Sequence, residues 1–206
     1  MVEVTAELDR GDARLIQIVD ASLAEAARKA GPWLVCRLGC TQCCIGVFPI
    51  TQLDARRLRL GLASLDSYDP ARALRVRQRA RESVARLSAD FPGDPATGLL
   101  AQGEEAEERF SHFADDEPCP ALDPETGACD LYDARPITCR TFGPPVRCAD
   151  ESVGVCELCF EGATDNEIAA CEVEIDPEGL ESALVGDLEK STGQHGQTIV
   201  AYALAL

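Results

Sequence analysis

Near the start of the chain, apolar residues recur at the spacing of one helix face. The pattern runs from Asp12 to Ala30 and stops at Gly31-Pro32, a combination that ends helices. Its apolar positions are Leu15, Ile16, Ile18, Val19, Leu23 and Ala26 or Ala27. The pattern predicts an amphipathic helix over about residues 12–30, followed by a short extended segment at Trp33-Leu34-Val35.

Cap and helix-breaking residues divide the next part of the chain into two helices. Thr51 is a good N-cap for a helix that ends at Gly61. Pro70 opens a longer helix that runs to about Asp90. The acidic run that follows, within residues 104–112, favours the start of another short helix.

The second half of the chain combines one turn with further helices. Residues 123–127, Asp-Pro-Glu-Thr-Gly, have the composition of a turn and separate Cys119 from Cys129. Thr164 with Glu167 forms a capping box for a helix through Cys171, which we expect to be a buried core thiol.

The C-terminal part continues this helical pattern. Asp176-Pro177 begins a helix that ends near Gly193, and residues 198–206 are apolar enough to pack. The patterns together predict a mainly α fold, with irregular cysteine-rich metal-binding loops and little β.

Length and composition favour one compact domain over residues 1–206. A chain of 206 residues that is 46% hydrophobic can bury one core, and no repeat or linker divides it. Within this domain we expect a metal-binding core over about residues 33–160. The N-terminal helix, about 12–30, precedes the core, and a C-terminal helical segment, about 164–206, follows it.

The N-terminal sequence and the cysteine content indicate a cytoplasmic protein with reduced thiols. Residues 1–9 have neither a basic segment nor an apolar segment of the kind found in secretory signals, and no apolar run could cross a bilayer. Cytoplasmic thiols stay reduced, so the eleven cysteines are expected to bind metal rather than to form disulfides.

The net charge of −17 argues against binding to nucleic acid or to a membrane. It favours a basic protein, peptide or cofactor as the binding partner. If the protein carries a redox centre, we also expect a redox partner. The stretch from Thr51 to Asp90 is rich in arginine, which is compatible with a contact to RNA or to an acidic peptide. A solvated arginine face, partly neutralised by the acidic remainder, requires fewer assumptions and is preferred.

The cysteines provide the candidate chemistry. Four of them, Cys36, Cys40, Cys43 and Cys44, lie within nine residues, and the other candidate ligands are Cys119, Cys129, Cys139, Cys148, Cys156 and Cys159. Only two histidines are present, so the ligand set is all sulfur or nearly so. Soft thiolate ligands select zinc or iron–sulfur centres, in one site or two.

Spacing and number of thiols favour an iron–sulfur cluster over zinc. The pairs Cys40/Cys43 and Cys156/Cys159 would suit one tetrahedral zinc ion, but this choice leaves neighbouring thiols unused. A loop with this spacing can hold three corners of a [4Fe–4S] cluster, with Cys44 or Cys139 as the fourth ligand. The same spacing occurs in radical S-adenosylmethionine enzymes, but the alternating strands and helices of their barrel are not found here.

Three separated motifs, in order, carry a resemblance to a known family. They are Cys36-x3-Cys40-x2-Cys43-Cys44, Cys119-Pro120-Ala121-Leu122 with Gly127-Ala128-Cys129-Asp130-Leu131-Tyr132, and Arg135-Pro136-Ile137-Thr138-Cys139-Arg140. Over about residues 36–160 the chain resembles the bacterial cysteine-cluster family of zinc- or iron-chelating domains. The family's usual first gap is two residues, where this chain has three.

The resemblance implies a metal-chelating or iron–sulfur protein. One branch, the flagellin lysine N-methylases, shares the cysteine cluster and uses S-adenosylmethionine, but no methyl-donor loop is recognisable here. Arg135 and Arg140 flank Cys139 and are predicted to contribute to cofactor binding by donating hydrogen bonds to sulfur or to Asp133.

Three functions therefore remain open. The preferred one is a metal-binding protein with an iron–sulfur cluster in a redox or cofactor role. The alternatives are a zinc-stapled structural or interaction module, and an S-adenosylmethionine-dependent lysine methylase-like enzyme. No Ser/His/Asp set, pair of catalytic carboxylates or phosphate-binding loop points to another enzyme class.

Overall fold

Helices with one buried apolar face make up most of the structure. The computed structural model describes residues 2–37, 39–148 and 151–206, and it is 55% helical with 8% strand. The helices of this described part are α1 (Val2–Ala30), α2 (Gln52–Tyr68), α3 (Pro70–Leu87), α4 (Glu104–Phe110), α5 (Ile137–Thr141), α6 (Asp165–Cys171), α7 (Leu180–Thr192) and α8 (Val200–Ala205). The strands are β1 (Gly93–Asp94), β2 (Leu99–Leu100), β3 (Val146–Cys148), β4 (Glu151–Val153) and β5 (Val173–Ile175). The predicted mainly α class is confirmed. None of these described helices combines the length and the apolarity that a bilayer crossing requires.

The chain divides into two compact units. Unit 1 comprises Met1–Arg37 and Ile137–Gly193, and unit 2 comprises Leu38–Pro136 and Gln194–Leu206. Each unit is therefore built from two separated stretches of sequence. The single-domain organisation expected from length stays a prediction.

Unit 1 is organised around α1. Leu15, Val19 and Ala26 of the predicted apolar stripe are completely buried, and the helix packs against α5, α6, α7 and β5. Strand β3 pairs with β4 in antiparallel and with β5 in parallel orientation. Val173 and Ile175 are buried while the residue between them is exposed, as the two-residue period of a strand requires.

Unit 2 is built on three helices, α2, α3 and α8, which pack on one another. Its largest apolar cluster includes Leu58, Val76 and Leu204. The C-terminal residues that were expected to pack form α8, which is almost entirely buried. Cys119 and Cys129 are partly buried against this same cluster, so the core of unit 2 supports the candidate ligands directly.

Helix α2 continues well beyond Gly61, and the predicted helix end at this glycine is wrong. A Cβ at Gly61 would lie 2.3 Å from the Cβ of Ala134, which belongs to the 3₁₀ turn Tyr132–Ala134. The glycine allows the helix and the turn to approach closely; it does not cap the helix. The helix ends instead just before Pro70, the first residue of α3.

The helix caps of unit 1 follow the sequence pattern closely. The capping box of Thr164 and Glu167 is present, and α7 ends at Gly193 in the left-handed conformation. Helix α7 begins later than predicted. The carboxylate of Asp176 accepts hydrogen bonds of 2.8 Å from the backbone N–H groups of Leu180 and Glu181, the first two residues of α7. Asp176 therefore precedes the helix and caps it.

The substitution Gly61→Ala should destabilise unit 2, because the added methyl group would overlap Ala134. We expect a loss of about 1–3 kcal/mol in the free energy of unfolding, the usual cost of overpacking. The matched control is Gly186→Ala on α7, where an added Cβ meets no atom within 4 Å. The control should gain about 0.5–1 kcal/mol from the better helix propensity of alanine. Urea unfolding followed by circular dichroism measures both, and changes of the same sign would contradict the packing role of Gly61.

Candidate metal centre

Backbone pairing joins two distant segments of unit 2 next to the first cysteine motif. The carbonyl of Cys44 accepts a hydrogen bond of 2.7 Å from the N–H of Cys119. The N–H of Gly46 donates a hydrogen bond of 3.0 Å to the carbonyl of Glu117. Residues 44–46 thus run antiparallel to residues 117–119, and the backbones of Cys44 and Cys119 are neighbours.

A short hairpin carries Cys119 and Cys129. Leu122 and Cys129 form an antiparallel bridge, and the carboxylate of Asp123 closes the turn by accepting hydrogen bonds from residues 125 and 126. The turn predicted at residues 123–127 is confirmed. It returns the chain so that Cys129, which pairs with Leu122, lies near Cys119.

The loop that carries Cys40 touches the tip of this hairpin. A Cβ built at Gly127 would lie 3.6 Å from the Cα of Gly39 and 3.7 Å from the Cγ2 of Thr41. Gly127 has a φ of 68°, which favours glycine at the turn. Cys40 lies between the two contacting residues and is partly buried.

Four thiols of unit 2 interact electrostatically, namely Cys43, Cys44, Cys119 and Cys129. The sulfur atoms of Cys43 and Cys44 are 4.0 Å apart and share a hydrogen bond. This bond lowers the pKa of Cys43 and, together with burial, raises the pKa of Cys44. Burial raises the pKa of Cys119 to about 12 and also raises the pKa of Cys129. Burial and the neighbouring thiols therefore disfavour a second negative charge in the group, and a bound cation would favour the loss of further protons.

Arg135 adds positive charge beside these thiols. Burial is the largest influence on the pKa of Cys129, and the attraction of Arg135 acts against it; the same attraction lowers the pKa of Cys43 further. The guanidinium is held in place by Tyr132. The Nε of Arg135 donates a hydrogen bond of 2.9 Å to the carbonyl of Tyr132, and the Cζ of Arg135 lies 3.5 Å from the centre of the Tyr132 ring. Direct hydrogen bonds from Arg135 to sulfur or to Asp133 stay a prediction.

Two arginines of α3 hold the hairpin from the side of the core. Both Arg72 and Arg79 form ion pairs with Asp130, whose side chain is 1% exposed. Arg79 also donates a hydrogen bond of 2.9 Å to the carbonyl of Pro120. The solvated arginine face expected from sequence is wrong for these two residues. Asp130 directly follows the candidate ligand Cys129 in the sequence. This position could have indicated that Asp130 needs a positively charged partner near the site.

The remaining cysteines lie in unit 1. They are Cys36, Cys139, Cys148, Cys156, Cys159 and Cys171. The sulfur atoms of Cys36 and Cys159 are 4.0 Å apart. The prediction of Cys171 as a core thiol is confirmed, since it is buried with Cys156 and Cys159 in an apolar cluster. Cys148 ends β3.

Cys139 lies on α5 of unit 1. That Cys139 provides the fourth ligand of a cluster bound by the first cysteine motif stays a prediction. Arg140 follows it on the same helix. Arg140 is buried and donates a hydrogen bond of 2.8 Å to Asp20 on α1. A contribution of Arg140 to cofactor binding stays a prediction.

The donor set of unit 2 fits a soft metal ion. Its sulfur atoms come from two distant segments, the turn Gln42–Cys44 and the hairpin, are partly buried, and lie near a compensating guanidinium. Within residues 2–37, 39–148 and 151–206, no three Cys, His, Asp or Glu side chains are grouped so that they could hold a metal ion as they stand. Protonated thiols have no reason to contract into the geometry of a bound ion, because the attraction comes from the ion that replaces their protons.

A mainly helical structure with eleven cysteines, in which thiols from distant segments of unit 2 lie close enough to interact, has the character of a metal-chelating domain. The chain belongs to the CxxCxxCC family, described as a "putative zinc- or iron-chelating domain", whose family model matches residues 35–157, more than half of the chain. No curated protein and no solved structure matches it. The zinc- or iron-chelating character predicted from the cysteines is thereby confirmed.

The substitution Asp130→Ala should loosen the hairpin, because it leaves Arg72 and Arg79 without their carboxylate. We expect the free energy of unfolding to fall by about 2–3 kcal/mol, less than for a fully buried pair because both guanidiniums reach solvent. Metal affinity should fall with it. The matched control is Asp66→Ala, which removes an exposed ion pair to Arg77 of α3 and should change stability little. Urea unfolding compares the variants; equal effects would show that the hairpin does not depend on Asp130.

Proposed function

We propose that unit 2 holds one metal ion on Cys43, Cys44, Cys119 and Cys129, and that this ion is a structural centre, with zinc as the first choice. The observation that carries the proposal is the separation of 4.0 Å between the sulfur atoms of Cys43 and Cys44. Thiolates around one tetrahedral zinc ion, with Zn–S bonds of about 2.3 Å, lie about 3.8 Å from one another. The two neighbouring sulfurs therefore stand near the spacing that a single ion requires.

The arrangement of the segments supports a structural role. The 3₁₀ turn Gln42–Cys44 and the hairpin that begins at Cys119 meet through few backbone hydrogen bonds. An ion that binds thiols from both segments adds its binding free energy to the stability of this arrangement, because the unfolded chain offers no preformed site. Buried thiolates also require the positive charge that the ion and Arg135 supply.

An iron–sulfur cluster in a redox or cofactor role is the second candidate, and the number of thiols supports it. Cys40 is a fifth thiol of unit 2, and its loop touches the hairpin tip. A single tetrahedral ion uses four ligands, so a fifth nearby thiol suits a larger centre. The sequence favoured a [4Fe–4S] cluster, but the distance of 4.0 Å between the sulfur atoms of Cys43 and Cys44 favours a single ion. Thiolates that bind different irons of a cluster lie further apart than thiolates that bind one ion.

The partner follows from the kind of centre. For a metal-stapled module, the net charge of −17 supports a basic protein or peptide, bound by an exposed surface. For an iron–sulfur protein, the partner is a redox protein. The methylase-like alternative stays a prediction. A thermal shift on addition of S-adenosylmethionine tests it, and the absence of a shift at saturating ligand would remove it.

The substitution Cys119→Ser should remove one equivalent of metal per chain and lower the unfolding midpoint. Elemental analysis of protein purified without oxygen, together with acid-labile sulfide, measures the content. We expect a colourless wild-type protein without sulfide, whose midpoint also falls when a chelator removes the metal. Cys148→Ser in unit 1 is the matched control and should keep its metal.

Two results would contradict the proposal. If Cys119→Ser keeps the full metal content, the hairpin thiol is not a ligand. If the wild-type protein is brown and contains sulfide in proportion to iron, the centre is an iron–sulfur cluster and the second candidate replaces the first.

A further inference from the structure

The first cysteine of the leading motif does not lie in the same unit as the others. Cys36 belongs to unit 1, whereas Cys40, Cys43 and Cys44 belong to unit 2. This is also the position at which the chain departs from the family pattern, with three residues in the first gap instead of two. The longer gap lies where the chain passes from one unit to the other, so Cys36 requires its own explanation.

The sulfur of Cys36 lies beside Cys159 within unit 1. Its Sγ lies 4.0 Å from the Sγ of Cys159. Gly143 makes room for it, since a Cβ at Gly143 would lie 3.0 Å from this sulfur. The carbonyl of Gly143 also accepts a hydrogen bond of 3.2 Å from the N–H of Cys156. Gly143 therefore contacts both the sulfur of Cys36 and the backbone of Cys156.

Cys156 and Cys159 form a tight turn with two residues between them. The N–H of Cys159 donates a hydrogen bond of 2.8 Å to the carbonyl of Cys156. Both side chains are buried. Two cysteines with this spacing on one turn are the usual half of a structural zinc site.

The backbone just after this turn is strained. Phe160 has a φ of 59°, a conformation that costs a bulky residue about 1–3 kcal/mol. Trp33 holds Phe160 in this conformation. The N–H of Phe160 donates a hydrogen bond of 3.0 Å to the carbonyl of Trp33, and the two rings stack with their centres 6.3 Å apart. Trp33 lies three residues before Cys36. The chain segment that contacts Phe160 through Trp33 therefore also contacts Cys159 through Cys36.

We propose that Cys36, Cys156 and Cys159 form a second thiolate site, in unit 1, for a soft divalent cation of the zinc type. Binding replaces the thiol protons, which leave to solvent, by bonds from the three sulfurs to the ion. The family match ends at residue 157, so it does not include Cys159. This site does not depend on the unit 2 centre, because it uses none of the same residues.

Zinc titration of the full-length, reduced protein against a colorimetric chelator tests the second site. The wild-type protein should bind two equivalents, and Cys36→Ser and Cys159→Ser should each bind one. Cys119→Ser should also bind one, and the double variant Cys36→Ser/Cys119→Ser none. Cys148→Ser is the control and should bind two, because Cys148, a candidate ligand from the sequence, belongs to neither of the two proposed ligand sets. Cys36 is exposed, so its substitution should leave the fold intact, which circular dichroism checks.

Alkylation provides a second measurement. Because Cys36 is exposed, it should react readily with iodoacetamide in the metal-free protein and be protected by zinc. The protection should be lost in Cys159→Ser and kept in Cys119→Ser. The proposal is overturned if Cys36→Ser binds as much zinc as the wild-type protein, or if zinc does not slow the labelling of Cys36. Failure of the unit 2 centre would appear separately, as an unchanged zinc content in Cys119→Ser.

Discussion

The candidate centre depends on the backbone pairing of residues 44–46 with residues 117–119. This pairing closes a long loop, and loop-closure entropy opposes it. The loop does not remain open chain, because α2 and α3 fold within it and pack with α8 into the core of unit 2. The bridge between Ile45 and Pro118 is short, so it persists only while that core holds the two segments together. The thiols are therefore positioned by packing first and by the pairing second.

Charge balance explains why arginines surround the hairpin in a protein with a net charge of −17. Thiolates in a partly buried site carry negative charge that water cannot fully solvate. Arg135 places its guanidinium beside Cys43 and Cys129, while Arg72 and Arg79 neutralise Asp130 on the same hairpin. Without the α3 arginines, the buried carboxylate would add to the charge that a metal ion has to compensate. The basic helix is thus part of the site's support.

The division of the cysteines between two units changes the meaning of the leading motif. Along the sequence, Cys36, Cys40, Cys43 and Cys44 look like ligands of one centre. In the structure, Cys36 lies near Cys159 of unit 1, whereas Cys43 and Cys44 lie beside the hairpin of unit 2. In the arrangement that we propose, each unit carries its own ion. Units with small apolar cores gain most from such an ion, because burial alone leaves them little stability.

Local patterns in the sequence were sufficient for the helical class, for the apolar stripe of α1, for the capping box at Thr164 and for the turn at residues 123–127. Each of these features depends on residues that are close in sequence, and the presence of many cysteines with few histidines already indicated metal. Only the tertiary structure decided that Gly61 packs against Ala134, that Arg72 and Arg79 bind Asp130, and which thiols are neighbours. Cysteines are chemically identical, so spacing cannot assign a partner to a distant one. The partner is set by which segments the hydrophobic core brings together, and that depends on contacts across the whole chain.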